Sequence, residues 1–331
     1  MANPTNSKNL ARGQGRSKRN AIFSLLVLLC LLPLAVNDYQ QFVANTMLVY
    51  CLVAIALNIV LGYLGQLAFA NAAFFGIGAY ATGLSMVHLG ASFPVAMVLG
   101  AACGGLAGVI VGLPALRVRG YYLAIITLAF GELMRWVYVH QDKFTFGSGG
   151  FTVPPITFFG PSLSESGKYY LFLAIVVISV GATSLLLRSR YGRAFVAVRN
   201  NELAAASLGI NVNRTKVIAF AWSGLIAGLA GSLYAALNGR VSPDTFGIAQ
   251  MLMHFAIVMI GGLGSLIGSI IGAVLLTGLP ELLRNFPGLE EIVFSLLLII
   301  VLFLMPKGIS GYLMGHVSLL RERLYREKDN A

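Results

Sequence analysis

Glu132 and Arg135 are the residues of this sequence whose types and spacing could support chemistry inside an apolar segment. They stand three positions apart, so on a helix their side chains share one face and can form an ion pair. An ionisable group inside an apolar membrane helix indicates a functional site by default. Arg135 lies near the end of its segment, where its long side chain can reach water, and this favours a structural pair.

Amide and hydroxyl side chains also interrupt the apolar segments. They are Asn58, Gln66, Asn71 and Thr127, and Glu132 is the ionisable member of the same set. Such groups either line the path of a polar solute or bridge neighbouring helices by hydrogen bonds. Bridging is the more common role for any one residue, and both roles stay open. His254 is a weaker candidate for either role.

The sequence contains no motif for catalysis. Walker A, HExxH, CxxC and GxSxG patterns are absent, and the glycine-rich run at 261–265 lacks the following Gly-Lys-Ser/Thr of a phosphate loop. Cys30, Cys51 and Cys103 lie in separate apolar runs, without metal-ligand or disulfide spacing. We therefore expect a non-catalytic protein with no metal or cofactor of its own, and any phosphate chemistry would come from another chain.

The composition indicates which elements must position these residues. The chain of 331 residues is 57% apolar and 11% charged, with a mean hydropathy of +0.82. A typical soluble domain is about 25% charged, and so few charges cannot cover a surface exposed to water. These values exclude a soluble enzyme, a disordered chain and a single-span receptor. The fold class that they predict is all-α, a polytopic membrane protein.

Ten apolar segments are candidate membrane helices, and a full span needs about 20 residues. They lie at about 21–36, 42–64, 67–89, 92–114, 121–139, 170–187, 217–237, 249–262, 265–282 and 291–306. The first is interpreted as a retained signal anchor, because no cleavage site precedes the polar residues after it. The segment 249–262 is short, and two interpretations stay open: a separate span, or a broken or re-entrant element formed with the glycine-rich stretch 261–272. The total is therefore eight to ten.

The basic residues fix the predicted orientation. They concentrate in residues 1–20, in the loops 115–120 and 188–216, and in the C-terminal tail 313–331. With ten spans all four regions fall on the cytoplasmic side, as the positive-inside rule requires. The net charge of +11 is thus explained by membrane topology and contact with lipid, without nucleic acid. We expect a membrane domain at 21–312 between two cytoplasmic charged tails, 1–20 and 313–331.

Two predicted spans carry glycine at four-residue spacing, which lets helices approach closely. The glycines are Gly100, Gly104, Gly108 and Gly112 in one span, and Gly264, Gly268 and Gly272 in the other. The strings Gly112-Leu113-Pro114 and Gly278-Leu279-Pro280 follow them. A separation of five spans would give two inverted five-helix halves, as in many transporters. Two independent small-residue faces explain the pattern equally well.

The long basic loop 188–216 is the most informative segment. Apolar residues at helical spacing predict one or two short helices between 193 and 208, and Gly209 ends them. A helix lying on anionic lipid would have this character. We favour a docking surface for a cytoplasmic partner, because Ala204, Ala205 and Ala206 are small enough to enter a groove. Arg193 and Arg199 supply the positive charge of this surface.

The string Leu203-Ala204-Ala205-x-x-x-Gly209 resembles the EAA loop of ATP-binding-cassette importer permeases. This sequence departs from the motif in having Leu203 at the family's glutamate position and Glu202 one place early. Three further strings are similar to signatures of permeases for branched-chain amino acids, in the same order. They are Gly65–Tyr80, Gly120–Glu132, and Ser242–Phe246 followed by Gly261–Ser265 and Gly272-Ala273.

The resemblance covers about residues 40–312 and implies the M-type permease subunit of a branched-chain amino acid importer working by alternating access. By this resemblance the membrane domain 21–312 would be a permease domain in a bacterial inner membrane. Its partners would be a second related permease, two ATPase subunits that bind ATP, and an extracytoplasmic binding protein. By the same resemblance, residues 188–216 would couple the ATPase to transport. Transport of urea, short amides or another small solute, a passive channel, and an ion-coupled carrier are the alternatives.

Overall fold

The computed structural model describes residues 29–33, 36–118, 120–156, 163–283, 293, 296, 299 and 308–311. Most of the predicted spans 21–36 and 291–306, and both predicted tails, lie outside the described residues. The helices are α1 (Asp38–Asn58), α2 (Asn71–Leu89), α3 (Phe93–Gly112), α4 (Tyr121–His140), α5 (Asp142–Thr145), α6 (Glu165–Arg188), α7 (Arg190–Asn200), α8 (Glu202–Ser207), α9 (Val212–Asn238), α10 (Ile248–Gly261) and α11 (Leu266–Leu283). Two short strands, β1 (Phe151–Thr152) and β2 (Arg240–Val241), complete the regular structure.

Seven of the described helices are long and apolar enough to cross a membrane. They are α1 with its π-helical continuation Ile59–Tyr63, α2, α3, α4, α6, α9 and α11. Each coincides with a span predicted from the sequence, so the all-α, polytopic membrane class is confirmed.

The stretch predicted to be irregular differs from the other spans. α10 has 14 residues, which at 1.5 Å per residue make about 21 Å, less than the roughly 30 Å hydrocarbon core. Gly262 and Gly264 then adopt φ values of 119° and 77°, a left-handed region that favours glycine. The chain is therefore broken between α10 and α11.

α9 lies at the centre of the bundle and packs against α1, α2 and α3. Its contact with α3 depends on glycine, because a Cβ on Gly104 would lie only 2.7 Å from the Cα of Gly228. A Cβ on Gly108 would meet the backbone of Phe220. A Cβ on Gly112 would lie 3.3 Å from the Cβ of Phe220. The stripe on α3 thus allows two backbones to approach closely, as small residues do in membrane bundles.

The second glycine stripe serves two different purposes. Gly268 and Gly272 pack against the backbone of Gly261 in α10. Gly264 was predicted to belong to the same helix face, and this is wrong: it precedes α11 and lies in the turn. Its positive φ, which closes the chain between the two helices, explains the glycine there.

The helix contacts agree with an internal repeat. If α1 corresponds to α9, α2 to α10 and α3 to α11, the contact of α3 with α9 should be matched by one between α11 and α1. α11 does contact α1. In the same way, the contact of α2 with α9 is matched by that of α10 with α1, and the contact of α2 with α3 by that of α10 with α11. The repeat of five spans suggested by the glycine strings is consistent with all of these pairs.

The two ends of the bundle carry different structures. β1 and β2 pair antiparallel, with Phe151 opposite Val241, and join the loops after α5 and α9. α7 and α8 lie at the other end, between α6 and α9. The first end is the predicted outer side and the second the predicted cytoplasmic side.

Candidate functional site

α7 and α8 form a folded unit because polar side chains cap each helix. Ser189 Oγ accepts a hydrogen bond from Tyr191 N at 3.1 Å, at the start of α7. Asn201 Oδ1 accepts bonds from the backbone N of Leu203 and Ala204 at 2.9 and 3.0 Å, at the start of α8. These bonds satisfy amides that a helix cannot pair internally. Gly209, with a φ of 82°, ends the unit. The prediction of one or two short helices before Gly209 is confirmed, and two are present.

A buried ion pair fastens α8 to the membrane domain. Lys216 Nζ lies 2.8 Å from Glu202 Oε1, and the Lys216 side chain is 1% exposed. The same carboxylate oxygen accepts a bond from Gln66 Nε2 at 3.0 Å, and Lys216 also donates to Ala115 O at 3.3 Å. Glu202 is therefore directed towards the bundle, where its carboxylate contacts Lys216 and Gln66.

Arg199 provides a second connection, between α7 and the inner end of α1. Its Nη1 donates to the carbonyl of Gly62 at 2.5 Å. A Cβ on Gly65, whose φ is 74°, would lie 2.7 Å from the Arg199 side chain. Because Gly62 belongs to the π-helical continuation of α1, α7 contacts an irregular part of a membrane helix. Arg193 is exposed.

The surface of the unit that faces away from the bundle is apolar. Leu203 and Leu208 are 73% and 81% exposed, and Ala204 and Ala206 are exposed beside them. Ala205 was predicted to belong to this face, and this is wrong: it is 2% exposed and packs into the core. We call Leu203, Ala204, Ala206 and Leu208 the α8 surface. Exposed leucines on a solvent-facing helix indicate an interaction surface.

Asn58 joins the end of α1 to the break before α11. Its Nδ2 donates to Ser265 O at 2.8 Å and to Ser269 Oγ at 2.6 Å, and its Oδ1 accepts from Gly264 N at 2.8 Å. The side chain is fully buried. One amide thus replaces the hydrogen bonds that the broken backbone cannot make internally.

Asn71 belongs to a buried polar chain that sequence reasoning recognised only in part. Its Nδ2 donates to Val53 O at 3.3 Å and lies 3.3 Å from His254 Nδ1. His254 Nε2 lies 3.1 Å from Gln250 Nε2, which donates to Tyr50 Oη at 2.7 Å. The spacing of four between Gln250 and His254 was the available signal, because it places both on one helix face.

Thr127 holds the chain between α1 and α2 against α4. Its hydroxyl accepts a bond from Phe69 N at 2.8 Å and lies 2.9 Å from Leu123 O, to which it donates. Gln66 lies in the same connection and contacts Glu202 as described above. Asn58, Gln66, Asn71 and Thr127 all make hydrogen bonds between elements of the bundle.

Glu132 and Arg135 are paired and remain accessible. Arg135 Nη1 lies 3.6 Å from Glu132 Oε2, and Arg135 Nη2 lies 3.2 Å from Asp244 Oδ1 in the predicted outer loop. The side chains of Glu132 and Arg135 are 37% and 40% exposed. Sequence reasoning did not assign Asp244 to this group, because the residues are 109 positions apart in the chain.

The described part of the chain brings no three His, Cys, Asp or Glu side chains together as metal ligands. What it contains is a multi-pass helical bundle, with polar contacts between its helices and a structured apolar surface at one end. This combination defines a polytopic helical membrane protein.

Comparison with known proteins identifies the family. Residues 40–305 match the family described as branched-chain amino acid transport system / permease component. The chain belongs to this family and is a permease component of the ATP-binding-cassette type. It is a multi-pass membrane protein.

Three relatives show the range of similarity. The branched-chain amino acid permease LivM of Salmonella typhimurium strain LT2 is 33% identical over 87% of this chain and 74% of its own. The permease LivH of Escherichia coli strain K12 is 28% identical over 79% of this chain and 91% of its own. The autoinducer 2 import permease LsrC of Enterobacter sp. strain 638 is 32% identical over 64% and 62%. No solved structure matches the chain.

Proposed function

We propose that this chain is a transmembrane subunit of an ATP-driven importer that moves branched-chain amino acids into the cytoplasm by alternating access. The family and the relatives LivM and LivH support the substrate class. The two relatives are permease proteins named for the same transport system, which supports a second, related permease as partner. An extracytoplasmic binding protein would deliver the substrate to the end that carries β1 and β2.

The α8 surface is the observation that supports ATP hydrolysis by partner subunits as the energy source. Its leucines are exposed, although α8 and the preceding α7 are attached to the membrane domain through Glu202 and Arg199. Ala204 and Ala206 beside these leucines are exposed and small enough to enter the groove of a partner protein, and on this ground we favour a partner protein over lipid. We assign the partner as the ATPase subunits, which would bind ATP and move this surface during hydrolysis.

The connections beneath α8 give a route for the movement. Displacement of α8 would act through Glu202 on Gln66 and Lys216, and displacement of α7 would act through Arg199 on Gly62. Gly62 lies in the π-helical continuation of α1, and Gln66 lies in the connection between α1 and α2. The proposed coupling therefore joins the ATPase contact to two membrane helices through hydrogen bonds and an ion pair.

The coupling assignment is tested with Leu208→Glu. Leu208 is 81% exposed, so the fold tolerates the change, but a charge would face an apolar groove. We expect the ATPase subunits to be lost on co-purification, and leucine uptake to fall at least about tenfold, since about 1.4 kcal/mol of lost contact is sufficient.

Leu89→Glu is the matched control, because Leu89 is 75% exposed at the end of α2 on the predicted outer side. It should retain the ATPase subunits. Full retention of ATPase subunits and of uptake by Leu208→Glu would contradict the assignment of the α8 surface.

The relative LsrC, a permease of an autoinducer 2 import system, supports a second candidate substrate, a solute other than a branched-chain amino acid. An ion-coupled carrier is less favoured, because Glu132 is the carboxylate that lies within a described span, away from the helix ends. Uptake by the chain alone, driven by an ion gradient, would support that alternative.

A further inference from the structure

We propose that one face of α4 is the surface on which the second, related permease packs inside the membrane. This inference rests on the proposed function, which supplies the partner. It assigns the contact between the two permeases to a single helix of this chain, which the comparisons leave unassigned.

The exposed residues of α4 form a continuous stripe along the helix. They include Tyr122, Ile126, Ala129, Leu133 and Trp136, which we call the α4 stripe. These residues follow each other at alternating intervals of four and three positions, the spacing of a face that packs lengthwise against another helix. The α4 stripe therefore has the pattern of a helix–helix contact, although no described helix covers it.

Glu132 lies beside the α4 stripe, three positions after Ala129 and four before Trp136, so the three residues share one side of the helix. It is the twelfth of the 20 residues of α4, about 17 Å from one end of the helix and about 12 Å from the other. The side chains of Glu132 and its partner Arg135 are both more than one third exposed. Exposure of a charged group to hydrocarbon is costly at this depth, so lipid does not fit this side of α4.

Two other membrane helices have exposed sides that do suit lipid. α3 contains no charged residue, and its exposed side carries Val95, Leu99, Leu106 and Ile110. The charged residues of α6 all lie within four positions of its ends, where long side chains can reach the headgroups. α4 differs from both helices because its charged pair lies away from its ends.

A water-filled path also fits the α4 stripe poorly. Tyr122, Leu133 and Trp136 are 73%, 56% and 54% exposed, and contact of water with such large apolar surfaces is unfavourable. A second protein meets both requirements, because its side chains would cover the apolar stripe and would keep hydrocarbon away from Glu132. Contacts between membrane helices combine close packing with polar interactions in this way.

A partner that covers α4 along its length must itself span the membrane. The 20 residues of α4 make about 30 Å of helix, which is about the thickness of the hydrocarbon core. Among the proposed components of the complex, the ATPase subunits and the binding protein lie outside the membrane, so we assign the second permease. Because the two permeases are related, a two-fold arrangement would bring α4 against the corresponding helix of its partner.

Photo-cross-linking in the complete complex, in lipid nanodiscs, tests this contact. The photoreactive residue p-benzoylphenylalanine replaces Leu133 on the α4 stripe, and peptide sequencing identifies what it captures. We expect an adduct with the second permease. The matched control carries the same photoreactive residue in place of Leu106, which is 63% exposed in the corresponding part of α3. The control should give no adduct with the second permease above background.

The other possible occupants of the α4 stripe are distinguished by the same experiment. An adduct only with the predicted span 291–306 of this chain, with a second copy of this chain or with lipid would overturn the proposed contact. Leucine transport is measured with the same complex before substitution. Failure of that complex to transport leucine would overturn the proposed function, whereas transport without the permease adduct would overturn the α4 contact alone.

Ala129→Phe gives a second, independent variant. Ala129 is exposed near the middle of α4, so the chain itself accepts a larger side chain, but a ring would overfill a close contact between two helices. We expect the fraction of complexes that retain the second permease to fall at least about tenfold, as measured by native mass spectrometry. Ala102→Phe, at an exposed alanine near the middle of α3, is the control and should retain it. Equal retention by the two variants would contradict the contact.

Discussion

The ion pair between Glu202 and Lys216 should respond asymmetrically to removal of either partner. In Glu202→Gln the Lys216 ammonium stays 1% exposed without its counter-charge, which costs about 3–5 kcal/mol for a buried pair. In Lys216→Met the buried charge itself is removed. Glu202 is 14% exposed and keeps its hydrogen bond from Gln66, so we expect a cost of about 1–3 kcal/mol.

The double variant distinguishes this reasoning from simple loss of packing. With both charges absent, no buried ion is left unpaired, so the double variant should be more stable than the sum of the single changes predicts, by about 2 kcal/mol. The assay is equilibrium unfolding of the purified chain in mixed detergent and sodium dodecyl sulfate micelles, followed by tryptophan fluorescence.

Glu165→Gln is the control, because Glu165 is 35% exposed and its pair with Lys168 lies at a helix end. It should change the free energy of unfolding by less than about 1 kcal/mol. Additive effects of the two changes at Glu202 and Lys216, or an effect of Glu202→Gln no larger than that of the control, would refute the buried-pair account.

Two further predictions concern the bundle. Asn58→Leu should lower the free energy of unfolding by about 2–4 kcal/mol, since three buried hydrogen bonds to the 264–269 region are lost; Asn238→Leu, at an exposed bond to Tyr234 O, should cost less than about 1 kcal/mol, and equal effects would contradict the bridging role. Gly104→Ala should lower the free energy of unfolding by more than about 1 kcal/mol, because the added Cβ would meet the α9 backbone. Gly105→Ala is the control and should be tolerated, because the nearest atom would lie 3.5 Å from the added Cβ. The same unfolding assay measures both pairs, and a smaller cost at Gly104 than at Gly105 would contradict the close approach.

The helices were predictable because long apolar segments and short polar connections are properties of local sequence. The short α10 and the break after it were also visible, as a segment too short to span and a run of glycines. The position of Gly264 was not, because glycine at regular spacing has the same appearance in a helix face and in a turn. Only its φ of 77° separates the two.

The contacts of the candidate sites were less accessible to sequence reasoning. Glu202 could be identified from its place beside an EAA-like string, but its partner Lys216 lies beyond Gly209 in another helix. Ala205 resembles its neighbours in sequence and differs from them only in packing. Asp244 reaches Arg135 because β2 and the following turn bring the loop after α9 onto α4. These pairings depend on tertiary structure, which spacing along the chain does not encode.

Uptake by the reconstituted complex tests the central claim most directly. Proteoliposomes would contain this chain, a second permease of the family and the two ATPase subunits, with the binding protein and radiolabelled leucine on the outer side. The account predicts accumulation of leucine against its gradient that requires ATP on the cytoplasmic side and stops when ATP is replaced by a non-hydrolysable analogue. Downhill flux of leucine without ATP, or accumulation by this chain alone under an ion gradient, would contradict it.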